Sequence, residues 1–95
     1  MYIYYVYMFE WDEIKNKQNI EKHGVSFEDA LLVFNDQSRI TMFDEGHSLD
    51  EDRYYCIGNV NGDIMTVRFT IRDTKIRIIG AGYWRKGKKY YEEKS

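Results

Sequence analysis

The sequence predicts a small α+β domain: a mostly antiparallel sheet, two N-terminal helices packed on one of its faces and a short C-terminal helix. Three observations carry that expectation. Segments rich in β-branched and aromatic residues recur through the second half and flank Asn61-Gly62, the strongest short hairpin signal. Two capped helical stretches precede them. The chain has 95 residues, which leaves room for one core and argues against a second.

Residues 3–9 are apolar on both faces of an extended chain and read as one buried strand. Asp12 then caps a helix that runs to His23. Its apolar stripe (Trp11, Ile14 and Ile20) is thin, so the helix should be largely solvated. Gly24 stands where a left-handed C-cap is wanted, with Lys22 and His23 in the last turn, where the helix dipole favours them. Ser26-Phe27-Glu28-Asp29 is close to a capping box and opens a second helix over residues 27–34. A short strand follows over residues 39–43. The acid-rich stretch 44–52 reads as a surface loop.

Two strands, 53–60 and 63–72, flank the turn. In the second, Met65, Val67, Phe69 and Ile71 face one way. Ile64, Thr66, Arg68, Thr70 and Arg72 face the other, which gives a half-buried strand with a basic solvent face. Arg72-Asp73-Thr74 turns into a last strand over residues 75–83. Residues 85–93 form a short basic helix that Gly87 weakens by roughly 1 kcal/mol relative to alanine. The expected order is β-α-α-β-β-β-β-α.

Hydrophobic residues make up 43% and charged residues 32%, a globular balance. The longest apolar stretch, residues 1–9, is about half of what a bilayer requires and lacks the basic start of a signal peptide. Cys56 is the one cysteine, so no internal disulfide forms, and its place mid-strand marks a buried structural thiol. The expectation is a soluble protein of a reducing cytoplasm.

The net charge of −2 conceals a division. Residues 1–67 carry 5 Lys+Arg against 13 Asp+Glu, −8; residues 68–95 carry 9 against 3, +6. A basic end on an acidic body suits phosphates or an acidic partner, although internal pairing of the two halves accounts for it as well. No phosphate loop, nucleophile elbow or metalloprotease motif occurs, and His23 and His47 have no ligand partner at helical spacing, so neither a metal nor a cofactor is expected. What remains is cations and rings. Arg53, Arg68, Arg72 and Arg77 lie on strands; Arg85, Lys86, Lys88 and Lys89 lie in the terminal segment, interleaved with Tyr83, Trp84, Tyr90 and Tyr91. Basic groups hold phosphates and aromatic rings stack splayed bases, so Arg68, Arg72, Lys86, Lys89 and Trp84 are candidate RNA-binding residues.

The run Trp11-Asp12-x-x-Lys15-x-x-x-Asn19-x-x-Lys22-His23-Gly24-Val25-Ser26-Phe27-x-x-Ala30-x-x-x-Phe34-x-Asp36 resembles the BrnT family. Glu51-x-Arg53, Gly58, Val67, Arg77-Ile78-Ile79 and Tyr91-Glu92 extend the likeness over residues 9–93. The resemblance implies a RelE-like ribonuclease toxin of a type II toxin–antitoxin module. It also implies neutralisation by a ribbon-helix-helix antitoxin (BrnA-like), with operator DNA met only through that antitoxin. RNA cleavage of this kind needs a 2′-hydroxyl deprotonated, the pentavalent phosphate neutralised and the leaving 5′-oxygen protonated, with electrostatic stabilisation the largest contribution. By matching positions Arg77 and Tyr91 are catalytic candidates; Arg53 joins Arg77 in holding the phosphate, and Arg85 is added on charge alone. After Ile78-Ile79 the family usually reads Ser-Ala-Arg, whereas here Gly80-Ala81-Gly82 stands, with Arg85 three residues further on. That departure opens an alternative: a catalytically weak or inactive member that binds antitoxin or nucleic acid.

Overall fold

A computed structural model describes residues 3–6 and 8–94. The elements are β1 (Ile3–Val6), β2 (Phe9–Asp12), α1 (Glu13–His23), α2 (Phe27–Ala30), β3 (Ile40–Phe43), β4 (Arg53–Val60), β5 (Asp63–Arg72), β6 (Lys75–Gly82) and α3 (Arg85–Lys94), with 3-10 turns at Leu31–Asn35 and Glu45–His47. The strands form one sheet in the order β1-β2-β6-β5-β4-β3. Every pairing is antiparallel except β2 with β6. The α+β class and mostly antiparallel sheet are as expected.

Four expectations change, the last of them on β5. The N-terminal stretch is two strands rather than one, because the chain reverses before Phe9 so that β2 can pair with β1 on one side and β6 on the other; Tyr7 and the side chains of residues 3–6 lie outside what is described. The element order therefore gains a strand. The second helix keeps α-geometry only over Phe27–Ala30 and tightens into the 3-10 turn. Its Ser26 cap holds, with the Asp29 N–H donating to Ser26 Oγ at 3.0 Å.

The third change concerns α1. Asp12 and Gly24 cap it as expected, the glycine at φ 69°. Ile14 and Ile20, however, are 60% and 44% exposed, and the helix buries Asn16 and Asn19 instead. Asn19 donates to the carbonyls of Val25 (2.8 Å) and Ala81 (2.9 Å) and accepts from the Ala81 N–H. Asn16 accepts from the Phe27 N–H at 2.8 Å. Backbone groups that the sheet and the α1–α2 junction leave unpaired are thus satisfied by amide side chains, since buried peptide groups must find partners. The helix is docked by hydrogen bonds where a stripe of apolar residues was expected.

Strand alternation sorts the residues onto two faces. On the first, Met65, Val67, Phe69, Ile78 and Cys56 pack against Trp11, Phe27, Ala30 and Val33 in the main core. On the second, Ile57 and Ile64 cluster with Tyr91 of α3. The solvated basic face expected for β5 is mostly covered, with Thr66 and Thr70 both buried. α3 covers one end, and Thr70 Oγ1 donates to the Asp52 carbonyl of the acid-rich loop at the other. Asn61-Gly62 turns as expected, with φ of 53° and 95°.

Candidate functional site

The second face is built in rungs across β4, β5 and β6. Arg53, Thr70 and Arg77 stand opposite one another; then Tyr55, Arg68 and Gly80; then Ile57, Thr66 and Gly82. β6 carries a bulge between the Ile78 and Gly80 pairings, which leaves Ile79 without an opposite residue. The extra residue keeps Arg77 and Gly80 on one face although three positions separate them. Without it the face would lose either the cation or the clear floor beneath Arg68.

Glycines decide how closely the covering groups approach. A Cβ on Gly87 of α3 would sit 2.0 Å from Thr66 Oγ1, so the helix that Gly87 was expected only to weaken can lie on the Ile57–Thr66 rung because of it. A Cβ on Gly80 would come within 2.8 Å of the Arg68 guanidinium, and one on Gly82 within 2.8 Å of the Trp84 ring. The Gly82 that departs from the family pattern is therefore the seat of Trp84. Arg68 in turn lies 5.7 Å over that ring, and the His23 ring meets it edge-on at 5.2 Å.

Between the helix and the Tyr55–Arg68 rung opens a cleft of about 540 Å³. Met42, Tyr55, Ile57, Thr66 and Arg68 line it from the sheet. Trp84, Lys86, Gly87 and Tyr90 line it from α3 and its approach. Two buried polar atoms there have no hydrogen-bond partner, Thr66 Oγ1 and Arg68 Nε. Burial, and next a hydrogen bond to Asp44, push the Tyr55 hydroxyl above its usual value, so it stays protonated at neutral pH.

The cations of the outer rung have company. Arg77 Nη1 donates to Glu10 Oε2 at 2.7 Å, with both side chains largely buried. Arg72 grips Glu51 with two hydrogen bonds, at 3.1 and 2.9 Å, and this bond is the main reason the Glu51 carboxyl lies below its usual range. Arg53 stands 3.9 Å from the same carboxylate, with its side chain 36% exposed.

The structure brings together Arg53, Arg68 and Arg77 on the sheet, with Trp84 and Lys86 at the cleft. It does not bring Arg85 there: that residue lines a second hollow with Asp63, Tyr83 and Lys88, and Trp84 forms the wall between the two. Lys89 is exposed on α3 and lines neither hollow. Tyr91 is buried, does not line the cleft, and its hydroxyl donates to Asp36 Oδ2 at 2.6 Å. The neighbouring Tyr90 lines the cleft. Cys56 is fully buried and burial raises its thiol, as suits a structural thiol. Sequence reading missed Tyr55, Thr66 and Glu10, and named Tyr90 only among the rings of the terminal segment. Tyr55 was within reach, since it alternates with Arg53 onto the same face; Glu10 was not, because its partner lies 67 residues away.

Among the described residues no cluster of three His, Cys, Asp or Glu side chains could hold a metal ion, and no helix is long and apolar enough to cross a membrane. No curated protein matches the chain. A family model does, over residues 11–87: the ribonuclease toxin, BrnT, of type II toxin–antitoxin systems.

Proposed function

Because the chain belongs to the BrnT family of ribonuclease toxins of type II toxin–antitoxin systems, we propose that it cuts RNA on the second face of its sheet, in the cytoplasm. A ribbon-helix-helix antitoxin, BrnA-like, restrains it by laying an acidic segment on that basic face, and the pair meets operator DNA through the antitoxin. The observation that carries this reading is the placement of Arg53, Arg68 and Arg77 on one face of three neighbouring strands, with Arg68 lining the cleft and Arg53 and Arg77 on the rung beside it.

The chemistry follows from those positions. The scissile phosphate lies on the Arg53–Arg77 rung. Arg77 is fixed by Glu10, which orients its guanidinium before substrate arrives; Arg53, partly exposed, closes onto the phosphate. Their charge meets the negative charge that grows on the pentavalent phosphorus, where preorganised donors act most strongly. Tyr55, held protonated, is placed to give its proton to the leaving 5′-oxygen. Arg85, Lys86, Lys89 and Arg72 engage flanking phosphates. Tyr91 works through Asp36, holding α3 on the sheet.

The purified chain is expected to cleave labelled RNA, and its antitoxin to stop the reaction. Arg53→Gln is expected to slow cleavage by about 10²-fold or more while the protein stays folded, the usual loss for one preorganised donor. A folded chain that leaves every RNA intact would overturn the proposal, and wild-type rates in both Arg53→Gln and Arg68→Gln would move the site elsewhere. A second reading rests on Gly82: the arginine that the family places there is absent and Trp84 fills its space. On that reading the chain binds RNA and antitoxin without cutting, and the same assay with a binding arm separates the two.

A further inference from the structure

We propose that the cleft beneath α3 receives one unstacked base of the RNA, a guanine, beside the phosphate on the Arg53–Arg77 rung. This rests on the nuclease reading and adds a recognition site to it. The two rungs are two residues apart along β4 and β5, about 7 Å, so base and phosphate of a single nucleotide span them. The cleft, about 540 Å³, has aromatic walls in Tyr55, Trp84 and Tyr90. Such walls suit a splayed base, which stacks on rings once it leaves its neighbours.

The polar groups narrow the choice. Arg68 carries only donors, and its Nε is buried with nothing to bond to. Among the described residues no carboxylate pairs with it, in contrast to Arg77 and Arg72. The Trp84 ring and the floor at Gly80 fix the plane of its fork. A fork of donors fits two adjacent acceptors in one plane, which guanine offers at N7 and O6. Adenine sets an amino donor at one of those places, and pyrimidines have no such pair. Thr66, whose Oγ1 is also unpartnered, lines the same cleft, and its hydroxyl can take either role in a hydrogen bond.

The test is titration of the folded chain with guanosine, adenosine, cytidine and uridine 3′-monophosphates and with inorganic phosphate. Trp84 reports by its fluorescence, since the second tryptophan, Trp11, is 1% exposed, and calorimetry gives an independent reading. The guanosine nucleotide is expected to bind about tenfold or more tighter than the others, and Arg68→Lys, which keeps the charge and loses the fork, to abolish that preference. Thr66→Val is a second variant of nearly unchanged shape, expected to weaken guanosine binding several-fold. Equal binding of all four nucleotides, or phosphate competing as well as the nucleotide, overturns the base site. RNA cleavage without base preference, together with no guanosine binding, overturns it and leaves the nuclease reading intact. Guanosine-selective binding by a chain that cuts no RNA keeps the cleft and removes the nuclease.

Discussion

The two faces of the sheet solve opposite problems with the same strands. On the first, Met65, Val67 and Ile78 meet Trp11, Phe27 and Val33 in a closed core, and even the helix amides are spent on backbone groups. On the second, α3 lies on the Ile57–Thr66 rung through Gly87, where the threonine hydroxyl has no partner, and the adjoining rung keeps an arginine nitrogen without one. Packing is complete where the fold needs stability and incomplete where a ligand would complete it. Unpartnered buried polar groups cost stability, so their confinement to one cleft marks the second face as the one that carries the candidate site.

Substitutions can break that contrast, and the largest effects fall at buried positions. Phe27→Ala empties the centre of the first face and is expected to cost about 3–5 kcal/mol in urea unfolding. Arg77→Met is expected to cost nearly as much, about 3–5 kcal/mol, because it strands the buried Glu10 carboxylate. Adding Glu10→Leu should recover most of that loss. If Arg77→Met alone is harmless, the outer rung is open rather than built.

Asn19→Ala removes the amide that serves Val25 and Ala81, and is expected to cost about 2–3 kcal/mol, within the range for orphaned buried backbone groups. Differential scanning calorimetry measures it. A loss below about 0.5 kcal/mol would mean that α1 is docked by contacts other than its amides.

Gly87→Ala forces α3 away from Thr66 and is expected to cost about 1–3 kcal/mol. The double variant with Thr66→Ala clears the clash and should restore much of the loss, which a double-mutant cycle reads as coupling.

The smallest effect is on pH dependence. Hydrogen bonds from the Asn59 backbone, then from Tyr91, then from the Ser38 backbone hold the Asp36 carboxyl below its ordinary 3.8. A depressed folded value means that its stabilisation is complete above about pH 4 and is lost as pH falls through the lowered value. Acid unfolding followed by circular dichroism should show that component vanish in Asp36→Asn, with the neutral-pH Tm only slightly lower. An unchanged acid transition would release Tyr91 and Asp36 from holding α3.

Local signals carried much of the fold. Asp12, Gly24 and Ser26 capped as their chemistry demands, since caps depend on a few neighbouring backbone groups. Asn61-Gly62 set a hairpin whose two strands begin and end where alternation placed them. The candidate site was legible in part for the same reason: alternation alone puts Arg53, Arg68 and Arg77 on strands, and the basic end of the chain announces itself in the charge count.

What the sequence by itself determined is therefore what acts over a few residues: the caps, the turn, the alternating strands and the run that marks the family. Only the tertiary structure decided that asparagines dock α1, that Glu10 claims Arg77 from 67 residues away, that Trp84 takes the space over Gly82 and that Arg85 is walled off from the cleft. The reason is geometric. Partners across a sheet or beneath a helix are chosen by register, by one bulge and by the absence of a Cβ, and those are settled only when the strands pair.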